Sequence, residues 1–288
     1  MLYDTIYVRK KVGFDYDNKI LIDTVRFETP GTFYWTVPPL CIFVDVFLVG
    51  AGGGGFICAG GGGGYTMTYR GVNYIAPTTG TWQILSGNQA TGEGRNGNGI
   101  DVVPAEIIEI IVGTGGTGGI INGITVNQYP TDGGFSQFKD STYRAEGGKQ
   151  AWIYQSVYYV GGNGGSSGGM LFANTSARNA GSNGSNGVTL GSGTINSDII
   201  HESQGNTTRD FGVSTGGRNA GGGSLAKVQG TQPGTLGGGA SDYTQNKGDN
   251  ANSTGGGGYG GGGAGSYSAS QHTSGNGGAG TVLINCYR

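Results

Sequence analysis

The side chains able to do chemistry are few and scattered. Asp198, His201 and Glu202 lie close enough in sequence for an acid–base or metal reading, but a solvated polar loop is the far better account of them. A serine-type triad needs nucleophile, base and orienting acid tied together, and no spacing here ties Ser, His and Asp. A structural zinc site takes about four ligands. The cysteines are Cys41, Cys58 and Cys286, without Cys-x-x-Cys spacing, and they read as small buried thiols. A Cys41–Cys286 pair on neighbouring strands stays open. The odd count gives no disulfide framework. Gly-x-Gly-x-x-Gly recurs, yet no Lys-Ser/Thr follows and no helix opens behind it, so no phosphate loop is read. Clustered carboxylates of the glycosidase kind are not visible. The expectation is a protein without catalysis, cofactor or metal.

Contact chemistry remains. The stretch AWIYQSVYYV carries Trp152, Tyr154, Tyr158 and Tyr159. Aromatic rings cover sugar faces and protein surfaces with large area and few rotors. These four are the first candidates for receptor contact, although the same alternation suits a hairpin packed on a sheet. Tyr267 and His272 in SYSASQHT come next, and MLFANTSARN (Met170–Asn179) third.

Composition narrows the partners. The net charge is -2 and charged residues make up 12%. With no Lys/Arg cluster, nucleic acid is not an expected partner. No apolar run reaches the roughly 18 residues of a membrane span, so no membrane insertion is expected. The first residues, MLYDTIYVRKKVGFDYDNK, show no apolar signal-peptide core.

Residues 1–27 are ordinary in composition and read as an N-terminal attachment element, with TIYVRKKV and ILIDTVRFET as strands around the DYDNK turn. Residues 28–288 form the rest. PGTFYWTVP is a short strand. CIFVDVFLVG is a strand with an aliphatic face of Ile42, Val44, Val46 and Leu48, and Asp45 marks its less buried side. GYTMTYRGVNYI and TWQIL read as strands. AEIIEIIVG is preferred as strand over helix for its β-branched run. The closing GAGTVLINCYR is another strand. Residues 41–49 and 281–287 thus close a β base around one long excursion.

The excursion holds most of the 66 glycines, roughly three times the usual share of about 7%. The main runs are 52–55, 60–64, 161–169, 221–223, 237–239 and 255–265. On composition alone they suit a flexible linker. Their bracketing by strands, and the large apolar residues between them, favour order. An extended three-residue helix makes no internal hydrogen bonds, so packed copies must pair their backbones with one another, and only glycine permits that approach. Glycine pays the largest entropy on ordering, so such an array needs the strands as a nucleus.

PGTFYWTVP followed by VDVFLVGAGGGG and GGGGGYT resembles the opening of the glycine-rich domains of bacteriophage tail and tail-fibre proteins. VVPAEIIEIIVGTGGTGG, the Gly-Gly-x-Ser-x-Phe stretch GGFSQF, QGNTTRDFG (Gln204–Gly212) and the closing GGAGTVLINCYR are similar to further pieces of them. The resemblance implies an all-β and irregular fold: a small antiparallel β-sandwich base with a packed array of polyglycine II-type helices and exposed loops. It implies a receptor-binding tail-tip protein, with other tail or fibre proteins docked through residues 1–27 and a host surface glycan or protein at the loops. It places the chain in the virion, made in the host cytoplasm without a signal peptide, either as a homotrimer or as a single copy. A purely structural tail or baseplate component and a cell-surface matrix protein are the alternatives. A similar glycine-rich region occurs in the anaplastic lymphoma kinase receptor family, but kinase motifs are lacking here.

Overall fold

The structure, a computed structural model, describes residues 19–57, 59–70, 95–96, 100–122, 125–154, 158–166, 168, 210–212, 219–220, 222–223, 241–242, 247–248, 260–263 and 271–288. The sequence-read strand TIYVRKKV, the strand TWQIL and the triplet Asp198, His201 and Glu202 lie outside them. Among the described residues the chain is all-β, with one short 3-10 turn at Asp210–Gly212. The all-β expectation stands.

The central strand is Phe43–Val49, and alternation dictates its packing. On one side it pairs antiparallel with the closing strand Thr281–Tyr287, in register from Phe43 opposite Tyr287 to Val49 opposite Thr281. On the other side it pairs with Thr66–Arg70, and near its start with Ile100–Asp101. The strand Leu21–Phe27, read from sequence as part of the attachment element, pairs with the outer side of the closing strand. A second sheet runs Arg144–Ala145, Ser136–Phe138, Ile107–Val112, Gly31–Thr36. Ile107–Val112 is a strand, as its β-branched run predicts.

The two sheets enclose one apolar cluster. Val44, Val46, Leu48, Val282, Ile284 and Cys286 enter it from the first sheet, and Trp35, Ile108, Ile110, Val112 and Phe138 from the second. Burial of each large aliphatic side chain contributes about 2 kcal/mol.

Asp45 corrects the sequence reading. Its side of the central strand is buried too, and Asp45 itself is only 5% exposed. The cover comes from far along the chain. Phe211 lies against Phe47, with ring centroids 5.9 Å apart, in a cluster with Val49, Ala220 and Leu283. The Asp210 carboxylate holds this cover down, accepting from Arg26 at 2.7 Å and from Asn219 at 2.9 Å. Nearer the base, Phe43 stacks on Tyr287 and the Lys19 ammonium sits 3.7 Å from the Phe43 ring centre.

Beyond Val49 side chains almost vanish and the two sheets merge. The N–H groups of the segment 50–55 turn through three neighbours with a period of three residues. Gly50 and Gly53 donate to Tyr65 and Gly62; Ala51 and Gly54 donate to Gly134 and Thr131; Gly52 and Gly55 donate to Gly278 and Gly275, all at 2.9–3.0 Å. The carbonyls turn likewise. Ala51 and Gly54 accept from Gly148 and Ala151, Gly52 and Gly55 from Gly116 and Gly119, and Gly53 from Gly263, at 2.8–2.9 Å. One segment therefore has six backbone neighbours, drawn from both sheets. Segment 60–64 is similarly enclosed: Gly61 and Gly64 donate to Gly263 and Gly260, Gly62 to Lys149 and Gly63 to Ser166.

The sequence of each segment follows from its place in this lattice. A Cβ on Gly54 would fall far inside contact distance of the Thr117 carbonyl, and one on Gly53 inside that of Lys149. Inner segments are thus nearly pure glycine. Outer segments free one face in three: Thr114 and Thr117 are exposed along 113–119, and Thr273 and Asn276 along 273–280. Between 146 and 152 the non-glycine row is Glu146, Lys149 and Trp152, with Gly147, Gly148 and Ala151 buried.

Ser136 sits where sandwich becomes lattice. Its buried hydroxyl donates to the Val49 carbonyl at 2.7 Å and accepts from the Gly113 N–H at 3.1 Å. In the stretch GGFSQF, the glycines enter the lattice, Ser136 bridges the junction and Phe138 fills the core.

Three outcomes are expected. Gly54→Ala lowers stability by about 3 kcal/mol, because backbone rather than a movable side chain must yield, whereas Thr114→Ala stays within about 0.5 kcal/mol; urea unfolding of both variants compares them. Ser136→Ala strands two buried backbone groups and costs about 2–3 kcal/mol in the same assay. Burial pushes the Lys19 ammonium down from 10.5 to about 8, against the pull of Asp45. The unfolded chain then binds more protons than the folded one from pH 8 to 10.5, so this lysine makes stability rise with pH across that window. Lys19→Met removes its share of the rise, read from Tm against pH.

Candidate functional site

The strands of the sandwich run on as glycine segments and end together at the far side of the lattice. Gly55, Gly119 and Gly275 meet there: Gly119 donates to Gly55, and Gly55 to Gly275. A second small apolar cluster seals this tip, with Phe56, Ala59, Ile121 and Ala151 buried and Ile57 and Val126 packed against them. A sheet crosses it in the order Ser241–Asp242, Lys247–Gly248, Gln271–Thr273, Ile120–Asn122, Thr125–Gln128.

Aromatic side chains stand on this seal. Tyr129 is 67% exposed and its ring lies 6.1 Å from that of Phe56. Trp152 is 40% exposed and directly follows the buried Ala151. The segments that carry the two residues are lattice neighbours. Gly133 donates to Gly148 at 2.9 Å, the Lys149 ammonium meets the Asp132 carboxylate at 2.8 Å, and the Gln150 N–H donates to the same carboxylate at 2.9 Å. Lys149 and Asp132 offset each other, so this corner presents rings beside a neutralised ion pair. Polar side chains replace missing backbone partners at its edge: Asn276 accepts from the Gly118 N–H at 2.7 Å, and Gln128 donates to the Gly118 carbonyl at 3.0 Å.

The candidates read from sequence are distributed as follows. Trp152–Tyr154 pairs antiparallel with Tyr158–Val160, setting Trp152 opposite Val160 and Tyr154 opposite Tyr158; Tyr159 lies opposite Ile153. These residues thus share one hairpin at the tip. His272 lies on Gln271–Thr273, opposite Ile121, in the sheet that crosses the same end. Tyr267 and Met170–Asn179 lie outside the described residues. Tyr129 was missed. Its signal is positional, an aromatic residue next to Pro130 and just before a glycine segment, as Trp152 comes just after one.

Residues 28–287 match the family model described as a glycine-rich domain. The chain belongs to this glycine-rich domain family. The match takes in the central and closing strands and every lattice segment described above. In this glycine-rich domain the strand Leu21–Phe27 precedes the matched region, yet it is paired to the closing strand within it. No curated protein matches the sequence.

Proposed function

We propose that this glycine-rich domain is a receptor-binding component of a bacteriophage tail or fibre tip. In this reading the lattice segments are polyglycine II-type helices that act as a stiff spacer. One end attaches to the particle and the other contacts the host surface. The observation that carries it is the placing of exposed large apolar residues. Ile20, Leu21, Leu40, Val103 and Ile107 are exposed around the base of the sandwich, where residues 1–27 join, Tyr34 is exposed on the outer face of the second sheet, and Tyr129 and Trp152 are exposed at the opposite tip. Between them, among the described residues, lies a lattice whose inner segments are nearly all glycine and whose outer faces carry small or polar side chains such as Thr114, Thr117 and Asn276.

The partners at the base are other tail or fibre proteins. The partner at the tip is a cell-surface glycan or protein, met by Tyr129, Trp152 and the hairpin that carries Tyr154, Tyr158 and Tyr159. Exposed aromatic side chains such as Tyr129 and Trp152 suit contact with sugar rings and apolar surfaces. Placement in the virion follows from the same reading.

The test uses the purified full chain and whole cells of the host. Tyr129→Ala with Trp152→Ala should weaken cell binding about thirtyfold, the loss expected from two contact aromatics worth roughly 2 kcal/mol together, with Tm unchanged. Full binding by the double variant refutes the tip as contact surface. No binding by the parent chain, together with tight incorporation into particles, points to a purely structural tail component.

A further inference from the structure

Cys41 and Cys286 belong neither to the tip nor to the lattice. Both are free thiols, both are fully buried, and both lie in the sandwich core. Cys286 is on the closing strand opposite Val44. Cys41 follows the turn at Pro38–Cys41, whose last N–H returns to the Pro38 carbonyl at 3.2 Å. The next residue, Ile42, donates to the Tyr287 carbonyl at 3.0 Å, which brings the end of this turn against the end of the closing strand. The Cys41 thiol donates to the Phe43 carbonyl at 3.5 Å, and both cysteines belong to the same core cluster. In the turn, Leu40 is 61% exposed and holds a left-handed φ of 70°.

We propose that Cys41 and Cys286 are a latent cross-link site, which a small peroxide converts to an intramolecular disulfide. The Cys41 thiolate attacks one oxygen of hydrogen peroxide, the O–O bond breaks, and the departing hydroxide takes a proton to leave as water. Cys41 is then a sulfenic acid. The Cys286 sulfur, giving up its proton, attacks the Cys41 sulfur; the S–O bond breaks and a second water leaves. Two thiols and one peroxide become one disulfide and two waters, the sulfurs together losing two electrons to the peroxide. The order of attack follows from how the two thiols act on each other: Cys286 holds Cys41 below the usual thiol range despite its burial, whereas Cys41 and burial both push Cys286 up.

The bond would join the two strands that begin and end the glycine excursion. Every lattice segment then lies inside one covalent loop. Restricting the unfolded chain matters most where ordering costs most, and glycine pays the largest ordering entropy. Chains folded in a reducing compartment would be latched after exposure to an oxidising one.

The experiment uses the full chain with Cys58→Ser. It is treated with hydrogen peroxide while folded, then denatured and alkylated with iodoacetamide. Expected are a mass about 2 Da lower with neither thiol alkylated, one peptide pair joined through Cys41 and Cys286, and a higher urea midpoint that a reductant reverses. With Cys286→Ser added, dimedone should trap a sulfenic acid at Cys41. Alkylation of both thiols after treatment, sulfinic acid on Cys41 beside a free Cys286, or linkage between chains overturns the proposal. Should Cys58→Ser fail to fold, peptide mapping of the unsubstituted chain decides: a Cys41–Cys286 link supports the proposal, and a link through Cys58 overturns it.

Discussion

The whole architecture rests on one steric fact: in the lattice, a neighbour's carbonyl oxygen stands where a Cβ would be. Gly52 meets Gly261 in this way, Gly61 meets Gly53, and Gly147 meets Gly133. The reward is that N–H and C=O groups of adjacent segments pair directly, so backbone buried from water on every side is still satisfied. Each such bond contributes only about 1 kcal/mol net, and glycine pays the largest entropy on ordering. The lattice therefore depends on something else to set its register.

The β-sandwich does that. Its two sheets are held apart by side chains, about 10 Å being usual for packed sheets, and they converge once those side chains end at Gly50 and Gly113. The strands are already aligned there by the pairing of Val49 with Thr281 and of Gly31 with Val112. Ser136 supplies at the junction the hydrogen bonds that neither sheet nor lattice geometry can. The result is a body whose middle is almost pure backbone and whose side-chain chemistry is displaced to its two ends.

Much of this was legible in the residues. The alternating apolar strands at 43–49 and 281–287, the β-branched run at 107–112 and the absence of amphipathic helices all followed from pattern. What pattern hid is equally instructive. Asp45 read as marking the less buried side because the cover on that side of the strand, Phe211 over Phe47 held by the Arg26–Asp210 pair, comes from sequence far away. Tyr129 drew no notice, because nothing local says that its neighbour in space is Phe56. The three-residue spacing of Thr114 with Thr117, and of Glu146, Lys149 and Trp152, was present all along. It acquires meaning only once a segment is known to have open faces.

The sequence by itself determined the class of structure. Glycine in such runs can close-pack or stay loose, and strands at both ends of the excursion select packing, because those strands need each other. The expectation of contact rather than catalysis also came from the sequence, since its titratable groups are few and unconnected along the chain. Only the tertiary structure decided which glycine segment touches which, and hence which side chains are left outside. Backbone hydrogen bonds carry no residue identity, so a run such as 52–55 is chemically able to pair with any other. The register comes from the sandwich that holds its ends, and that register brings Tyr129 and Trp152 to the same tip and Cys41 and Cys286 into one core at the base.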